Sequence, residues 1–378
     1  MASRFNLTSK PDASHCPAQL PGADWKRWFR RRLMAWYDRH ARELPWRRRG
    51  DAYAVWVSEI MLQQTQVVTV AEYFPRFLAA FPTLSSLAAA DEQQVLRIWE
   101  GLGYYRRARQ MHRAAKIIAR DHAGRFPREL QAVRSLPGIG RYTAGAILSI
   151  AFDARQPILE ANTQRLLCRL LAYDEDPCRG AGQRFLWSAA ADWLPRKRVG
   201  RFNQALMELG SLVCTPRAPC CDVCPVARRC PTRAAERQDE IPVPAARPKV
   251  EKIREAAVVV KKQGRLLLVQ GGSGKRWAGL WDFPRFPLTA TRGNALRREL
   301  IAKVADATGI EIDPLGRLTT LHHGVTRFRI TLTCHEARYV AGRLNRQETV
   351  ARWVRPEKLD GYPLNVTGRK LCRLITDG

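Results

Sequence analysis

The chain has 378 residues, 46% of them hydrophobic, and its 64 Lys and Arg against 35 Asp and Glu give a formal net charge of +29. This length accommodates two domains with cores of their own, and the hydrophobic content excludes a disordered polymer. No apolar run approaches the roughly 20 residues of a membrane span, and no signal-peptide pattern opens the chain, so the expected compartment is the cytoplasm, with the nucleoid as its site in a bacterium. Part of the charge fits an Arg-rich codon bias, but its size favours a polyanionic partner, nucleic acid above all. Of the ten cysteines, five crowd into residues 214–230, which is the density of a metal site and not of a secreted disulfide scaffold.

In chain order, residues 1–22 are polar, carry Pro11, Pro17 and Pro21, and read as a loose tail. Helical periodicity dominates from residue 23 to 233, in stretches such as "AVWVSEIMLQQTQVVTVAEYF", "VLRIWEGLGYY" and "TAGAILSIAF". Residues 234–253 carry Pro242, Pro244 and Pro248 among charges, the composition of a stiff linker. From 254 to 378 the texture changes. "EAAVVVKKQGRLLLVQGG" reads as two strands about a turn, "RFRITLTCHEARYV" as a further strand, and "GNALRRELIAKVADATGI" as a helix ending at Gly309. The expected architecture is an all-α domain followed by a smaller α+β domain.

Four features carry chemistry. "WVSEIMLQQT" sets Glu59 among Trp56, Val57, Ile60, Met61 and Leu62; a carboxyl desolvated in such a helix has a raised pKa, which suits a general acid. "LPGIGRYTAGA" is a Gly-rich turn with Gly138 and Gly140 running directly into a helix, a place where backbone N–H groups favour anions. With the helical "RELQAVRS" before it, the pattern reads as a helix-hairpin-helix that grips a DNA backbone without reading its sequence. "PILEANTQRLLCRL" places Glu160 between an apolar run and a helix, either as a dipole-complementing helix start or as half of a catalytic pair. Cys214, Cys221, Cys224 and Cys230 give C-x6-C-x2-C-x5-C, with Cys220 to spare. Four thiolates suit either zinc or an iron–sulfur cluster, and Arg217, Arg228 and Arg229 flank them as a basic patch.

Taken together, "LPWR" (44–47), "WVSEIMLQQT" (56–65), "EGLGYYRRAR" (100–109), "LPGIGRYTAGA" (136–146), "ILEANTQRL" (158–166) and the cysteine tail resemble, in this order, the adenine DNA glycosylases. These form the MutY family of the helix-hairpin-helix, or endonuclease III, superfamily. The resemblance runs over nearly all of residues 25–232. It implies a [4Fe–4S] cluster on the four cysteines and, more loosely, a Nudix-like lesion-recognition domain at the C-terminal end. The implied function is base excision repair by a monomeric enzyme that removes adenine opposite 8-oxoguanine or guanine in double-stranded DNA. The implied catalytic residues are Glu59 as general acid, Glu160 as the sugar-side carboxylate, Asn162 orienting it, and Tyr142 in the hairpin. Tyr142 stands where bifunctional relatives carry a Schiff-base Lys, so a monofunctional glycosylase is expected. Gln64 and Tyr104 are similar to residues inserted into the base stack, and Trp46, Arg47 and Leu62 to pocket-lining ones.

Three departures stand out. Glu160-Ala161-Asn162 replaces the family's Asp-Gly-Asn, so the acid is one methylene longer. The Nudix catalytic box lacks its paired glutamates, with Asp306 and Ala307 in their place, so this domain reads as binding and not as chemistry. In the lesion-reading loop Val325-Thr326-Arg327 stands for Phe-Ser-His; Thr326 is the candidate hydroxyl and Arg327 the candidate contact to a phosphate or the lesion. The competing readings are a pyrimidine glycosylase of the same superfamily and a non-catalytic DNA-binding iron–sulfur protein.

Overall fold

A computed structural model describes residues 20–244, 250–272, 276–345 and 350–376. Residues 1–19 of the expected tail and 245–249 of the expected linker lie outside the described residues. The helices run α1 (Ala23–His40), α2 (Ala52–Leu62), α3 (Val67–Ala80), α4 (Leu84–Ala89), α5 (Glu92–Ile98) and α6 (Arg106–Asp121). They continue as α7 (Leu130–Arg134), α8 (Arg141–Phe152), α9 (Ala161–Leu171), α10 (Gly180–Asp192), α11 (Val199–Leu212) and α12 (Pro231–Ala234). The chain forms two compact units, one from the described residues of Met1–Glu43 and Arg141–Ala245, the other from those of Leu44–Gly140 and Ala246–Gly378.

In the first unit the apolar stripe of α9, with Leu166, Leu167 and Leu170, shares one core with Phe29 and Leu33 of α1 and Phe202, Leu206 and Leu209 of α11. Two glycines let these elements touch backbone to backbone. A Cβ on Gly145 would lie 2.3 Å from the Pro157 carbonyl oxygen, and one on Gly210 would lie 2.9 Å from the Asn162 oxygen. The run leading into Glu160 is thereby held against α8, and the start of α9 against α11.

In the second unit α2 is buried on every side from Ala52 to Met61. The long helical pattern over residues 54–74 is broken at Gln63–Gln66, with Gln64 in the left-handed region at φ +60°. "VLRIWEGLGYY" is helical only to Ile98 and continues as a loop.

The C-terminal part adds β1 (Glu251–Lys262), β2 (Arg265–Gln270), β3 (Trp281–Asp282), β4 (Arg285–Pro287), α13 (Gly293–Thr308), β5 (Ile310–Val325), β6 (Phe328–Gly342), β7 (Ala351–Val354) and α14 (Val366–Thr376). The sheet is mixed, in the order β3-β2-β1-β6-β5 with β4 on β1 and β7 on β2; β1 and β6 run parallel from Glu251↔Phe328 to Lys261↔Arg338. Both faces are covered, which explains the unbroken "AAVVV" of β1. Ala256, Val258 and Val260 pack with Leu300 and Val304 of α13, and Ala257 and Val259 with Leu371 of α14. Helix α13 stops where Gly309 takes φ +73° and its N–H donates to Ala305 O at 2.7 Å. An all-α fold followed by an α/β sheet domain is thus the observed fold class.

Candidate active site

Glu59 sits in the third turn of α2 and is 4% exposed, with buried Ser58 and Ile60 on either side. A carboxyl in this setting is shielded from water. The carbonyls at the end of this helix converge on one cation. Arg107 of α6, 8% exposed, donates from Nη1 to Ile60 O and Met61 O, both at 2.9 Å, and to Gln63 O. Its Nη2 donates to Thr65 Oγ1 at 3.0 Å and to Leu102 O and Gly103 O at 3.2 Å. One guanidinium therefore fastens the Gln64 turn and the Tyr104 loop together. Burial lowers its pKa to about 10, which leaves it charged at neutral pH. Gln64 is exposed and Tyr104 is 45% exposed with φ +46°. Trp46 is buried edge-on to Phe74 at 5.8 Å, while Arg47 beside it and Leu62 at the end of α2 are half-buried.

The hairpin turn has the geometry its glycines suggest at one position. Gly138 takes φ +82°, and a Cβ there would lie 2.9 Å from Gln110 Cβ; Gly140 faces open space, and α8 begins at the next residue. Tyr142, half-buried, packs against the core of the first unit.

Glu160 is the N-cap of α9. Its Oε1 accepts from Thr163 N–H and its Oε2 from Asn162 N–H, both at 2.8 Å, while Glu160 N–H donates to Thr163 Oγ1 at 2.9 Å, closing a capping box. The extra methylene lets the side chain fold back over the helix start, so each oxygen carries an amide donor and keeps further lone-pair directions. Burial raises the pKa of this carboxyl, opposed by the two amide donors and by Arg165. Asn162 Oδ1 accepts from Arg165 Nη2 at 2.9 Å, and Arg165 also donates to Gly210 O at 2.7 Å and Cys214 O at 2.8 Å.

The cysteine segment follows α11. Arg169 donates to Cys214 Sγ at 3.4 Å, Thr215 O at 2.7 Å and Gln238 O at 2.7 Å, so Arg165 and Arg169, one turn apart, anchor the segment to α9. Cys214, Cys221, Cys224 and Cys230 are half-buried whereas Cys220 is exposed, which favours Cys221 over its neighbour as a ligand. Burial pushes the Cys224 thiol up to about 12, and Cys214, Cys230 and Cys221 add to the effect. Among the described residues no group of three or more His, Cys, Asp or Glu is placed to hold a single metal ion. Cys214, Cys224 and Cys230 pack on the apolar core, and Arg169 and Gln238 donate to the sulfurs of Cys214 and Cys221; four thiols are by chemistry the donor set an iron–sulfur cluster takes. Of the flanking basic residues, Arg229 pairs with Asp24 and lies over Trp28, and Arg217 and Arg228 are exposed.

In the C-terminal sheet, Thr326 tips the β5–β6 hairpin at φ +52°, exposed, its hydroxyl donating to Val325 O at 2.7 Å. Arg327, also exposed, pairs with Glu251 at 2.9 Å. Asp306 on α13 is exposed, and Glu299 accepts from the Thr289 and Ala290 amides. His323 Nε2 accepts from Arg285 Nη2 at 3.1 Å, and burial with the Arg285 charge lowers its pKa from 6.5 to about 4. Between these values the unfolded chain binds a proton that the folded chain does not, so stability falls as pH drops through the window. Thermal unfolding from about pH 4 to about pH 7 should show this slope in the native protein and a flatter one in His323→Gln; equal slopes would assign it to another group.

Arg107, Arg165 and Arg169 are structural centres that sequence reasoning missed. The four-residue spacing of Arg165 and Arg169 on an apolar helix face was a usable signal; Arg107 had none among its basic neighbours.

The family model described as "HhH-GPD superfamily base excision DNA repair protein" matches residues 57–190, and the one described as "NUDIX domain" matches 255–374. Fold and matches together define a DNA glycosylase of base excision repair, an enzyme that hydrolyses N-glycosidic bonds, carrying a Nudix-like domain. The adenine DNA glycosylase of Rattus norvegicus is 33% identical over 404 residues, spanning 92% of this chain and 78% of that protein. That of Buchnera aphidicola subsp. Schizaphis graminum is 36% identical over 259 residues, spanning 68% and 75%. The chain belongs to the adenine DNA glycosylase family. The solved structure of a thermostable thymine-DNA glycosylase is similar at 25% identity and a TM-score of 0.52, over 56% of this chain and 98% of that one. Among the described residues no helix is long and apolar enough to cross a membrane.

Proposed function

We propose that the protein removes adenine mispaired with 8-oxoguanine or guanine in duplex DNA, acting as a monomer and without cutting the strand. The observation that carries this reading is Glu59, an acid held 4% exposed in a helix buried on every side. The net charge of +29 supports a DNA partner. The target adenine leaves the stack to be reached, with Gln64 and Tyr104 filling the gap and Trp46, Arg47 and Leu62 near the flipped base. Glu59 gives its proton to N7 of adenine as the bond from C1′ to N9 breaks, and the bonding pair leaves with the base. The sugar then carries oxocarbenium character. Glu160 stabilises that charge, held in aim by its N-cap bonds, with Asn162 beside it; water adds at C1′ and its proton returns to Glu59. Because both Glu160 oxygens already accept amide N–H groups, electrostatic stabilisation suits this carboxylate better than covalent attack.

Tyr142 has no amine with which to form an imine at C1′. Gly138 and Gly140 hold the hairpin to the phosphate backbone, and Thr326 and Arg327 face the lesion strand. Cys214, Cys221, Cys224 and Cys230 hold a [4Fe–4S] cluster that organises their loop. Residues 23–233 form the glycosylase domain, 234–253 the linker and 254–378 the lesion-recognition domain.

A pyrimidine-directed reading rests on the similarity to a thymine-DNA glycosylase. Single-turnover assays on adenine opposite 8-oxoguanine, guanine and cytosine, and on thymine opposite guanine, separate the two. Adenine release fastest opposite 8-oxoguanine is expected; thymine release in its place overturns the proposal. With borohydride present no covalent adduct should form, and an adduct through position 142 would refute the monofunctional assignment.

A further inference from the structure

The loop that carries Tyr104 is held at both ends by a segment more than 250 residues downstream. At its start, the Glu100 carboxylate receives a forked pair of bonds from Arg369 of α14, Nε to Oε1 at 2.7 Å and Nη2 to Oε2 at 3.0 Å. Oε2 also accepts from the Leu364 N–H at 3.3 Å. At its end, Tyr105 OH donates to the Leu364 carbonyl oxygen at 3.3 Å and accepts from Gly101 N–H at 3.3 Å. The backbone of one residue, Leu364, is therefore tied through its N–H to one leg of the loop and through its carbonyl to the other.

The remaining donors of Arg369 are also committed, to Asp360 Oδ1 at 2.8 Å, Tyr362 O at 2.8 Å and Leu359 O at 3.2 Å. The side chains of Glu100 and Arg369 are only 9% and 13% exposed, so this pair is shielded where a fork geometry holds best. From the other side, Tyr73 OH donates to Glu100 O at 2.9 Å. Its oxygen stands 2.1 Å from where a Cβ on Gly101, at φ +99°, would lie. In a loop so fixed the Tyr104 ring stays 45% exposed, with the Arg107 guanidinium 5.5 Å from its centroid.

We propose that Glu100 and Arg369 are positioning residues through which the C-terminal domain sets the Tyr104 wedge, so that this domain governs base-stack insertion in addition to lesion reading. The proposal rests on the reading of Tyr104 as a stack-inserting residue of a glycosylase. A purely adhesive pair would hold the polypeptide together without changing what happens in the duplex. A positioning pair alters insertion itself, and does so whatever base lies opposite the adenine.

The test uses the full chain and duplexes carrying 2-aminopurine beside the mispair, whose fluorescence rises when its stacking is broken. Native protein should give a rise that disappears in Tyr104→Ala; a rise that persists there removes the wedge and the proposal with it. Arg369→Met should lose at least half of the rise and slow single-turnover excision about tenfold or more, alike on adenine opposite 8-oxoguanine and opposite guanine. Arg369→Lys should recover part of both, because it restores the charge without the fork. Glu100→Gln carries the same test if Arg369→Met does not fold. A full rise with Arg369→Met or Glu100→Gln, or a loss confined to the 8-oxoguanine duplex, overturns the proposal. Since insertion is read before any bond breaks, a native protein that inserts Tyr104 yet releases no adenine refutes the substrate assignment and leaves the clamp standing.

Discussion

Glu59→Gln should bind a mispaired duplex as the native protein does and release adenine about 10²–10⁴-fold more slowly in a single turnover, the range expected for loss of a general acid. The substitution keeps the volume of the side chain and removes only the acidic proton. The helix around it is buried from Ala52 to Met61, so bulk solvent does not supply that proton in its stead. Folding should not suffer, since an amide is less costly to bury than a carboxylate. Glu160→Gln in the same assay should slow release less, because part of the N-cap remains and the lost role is charge stabilisation. Release by Glu59→Gln at the native rate would end the assignment of this residue as the acid.

Arg107→Met should lower stability by about 3 kcal/mol or more, several carbonyls being left without a donor at about 1–3 kcal/mol each. The end of α2 presents carbonyls with no partner inside the helix and the negative end of its dipole. Arg107 answers both, and then reaches on to Thr65, Leu102 and Gly103. Methionine fills the same space and supplies no donor. The urea midpoint should shift accordingly, and adenine release should fall together with it, because the Gln64 and Tyr104 turns lose their common tie. A midpoint unchanged from the native protein would show that the six bonds are dispensable.

What could be read from the sequence was local. Gly309 after a helical stretch marked the end of α13, and the two β-rich runs about Gln263-Gly264 marked the β1–β2 turn. The acid before α9 was visible as well, and Thr163 three residues on completes its capping box. Interruptions were harder to see. The break at Gln63–Gln66 lies inside a continuous helical pattern, and the carbonyls freed there are met by a cation from another helix. The tie from Glu100 to Arg369 spans 269 positions, and no periodicity reports on it. "YYRRAR" contains Arg106, exposed, beside Arg107, buried, with nothing in the string to distinguish them. Composition, motif order and capping are properties of neighbours in the chain, whereas burial of one arginine among several depends on neighbours in space.

The clamp on Leu364 and Arg369 also has a consequence in time. During synthesis Glu100 leaves the ribosome 269 residues before Arg369 does. Throughout that interval the helices of the N-terminal half can form, yet the Tyr104 loop lacks both of its distal ties. A nascent or prematurely terminated chain therefore carries the acid of α2 without a set wedge. On the positioning role inferred above, full base-stack insertion waits for the C-terminal domain to be complete, which ties excision at its native rate to the presence of that domain.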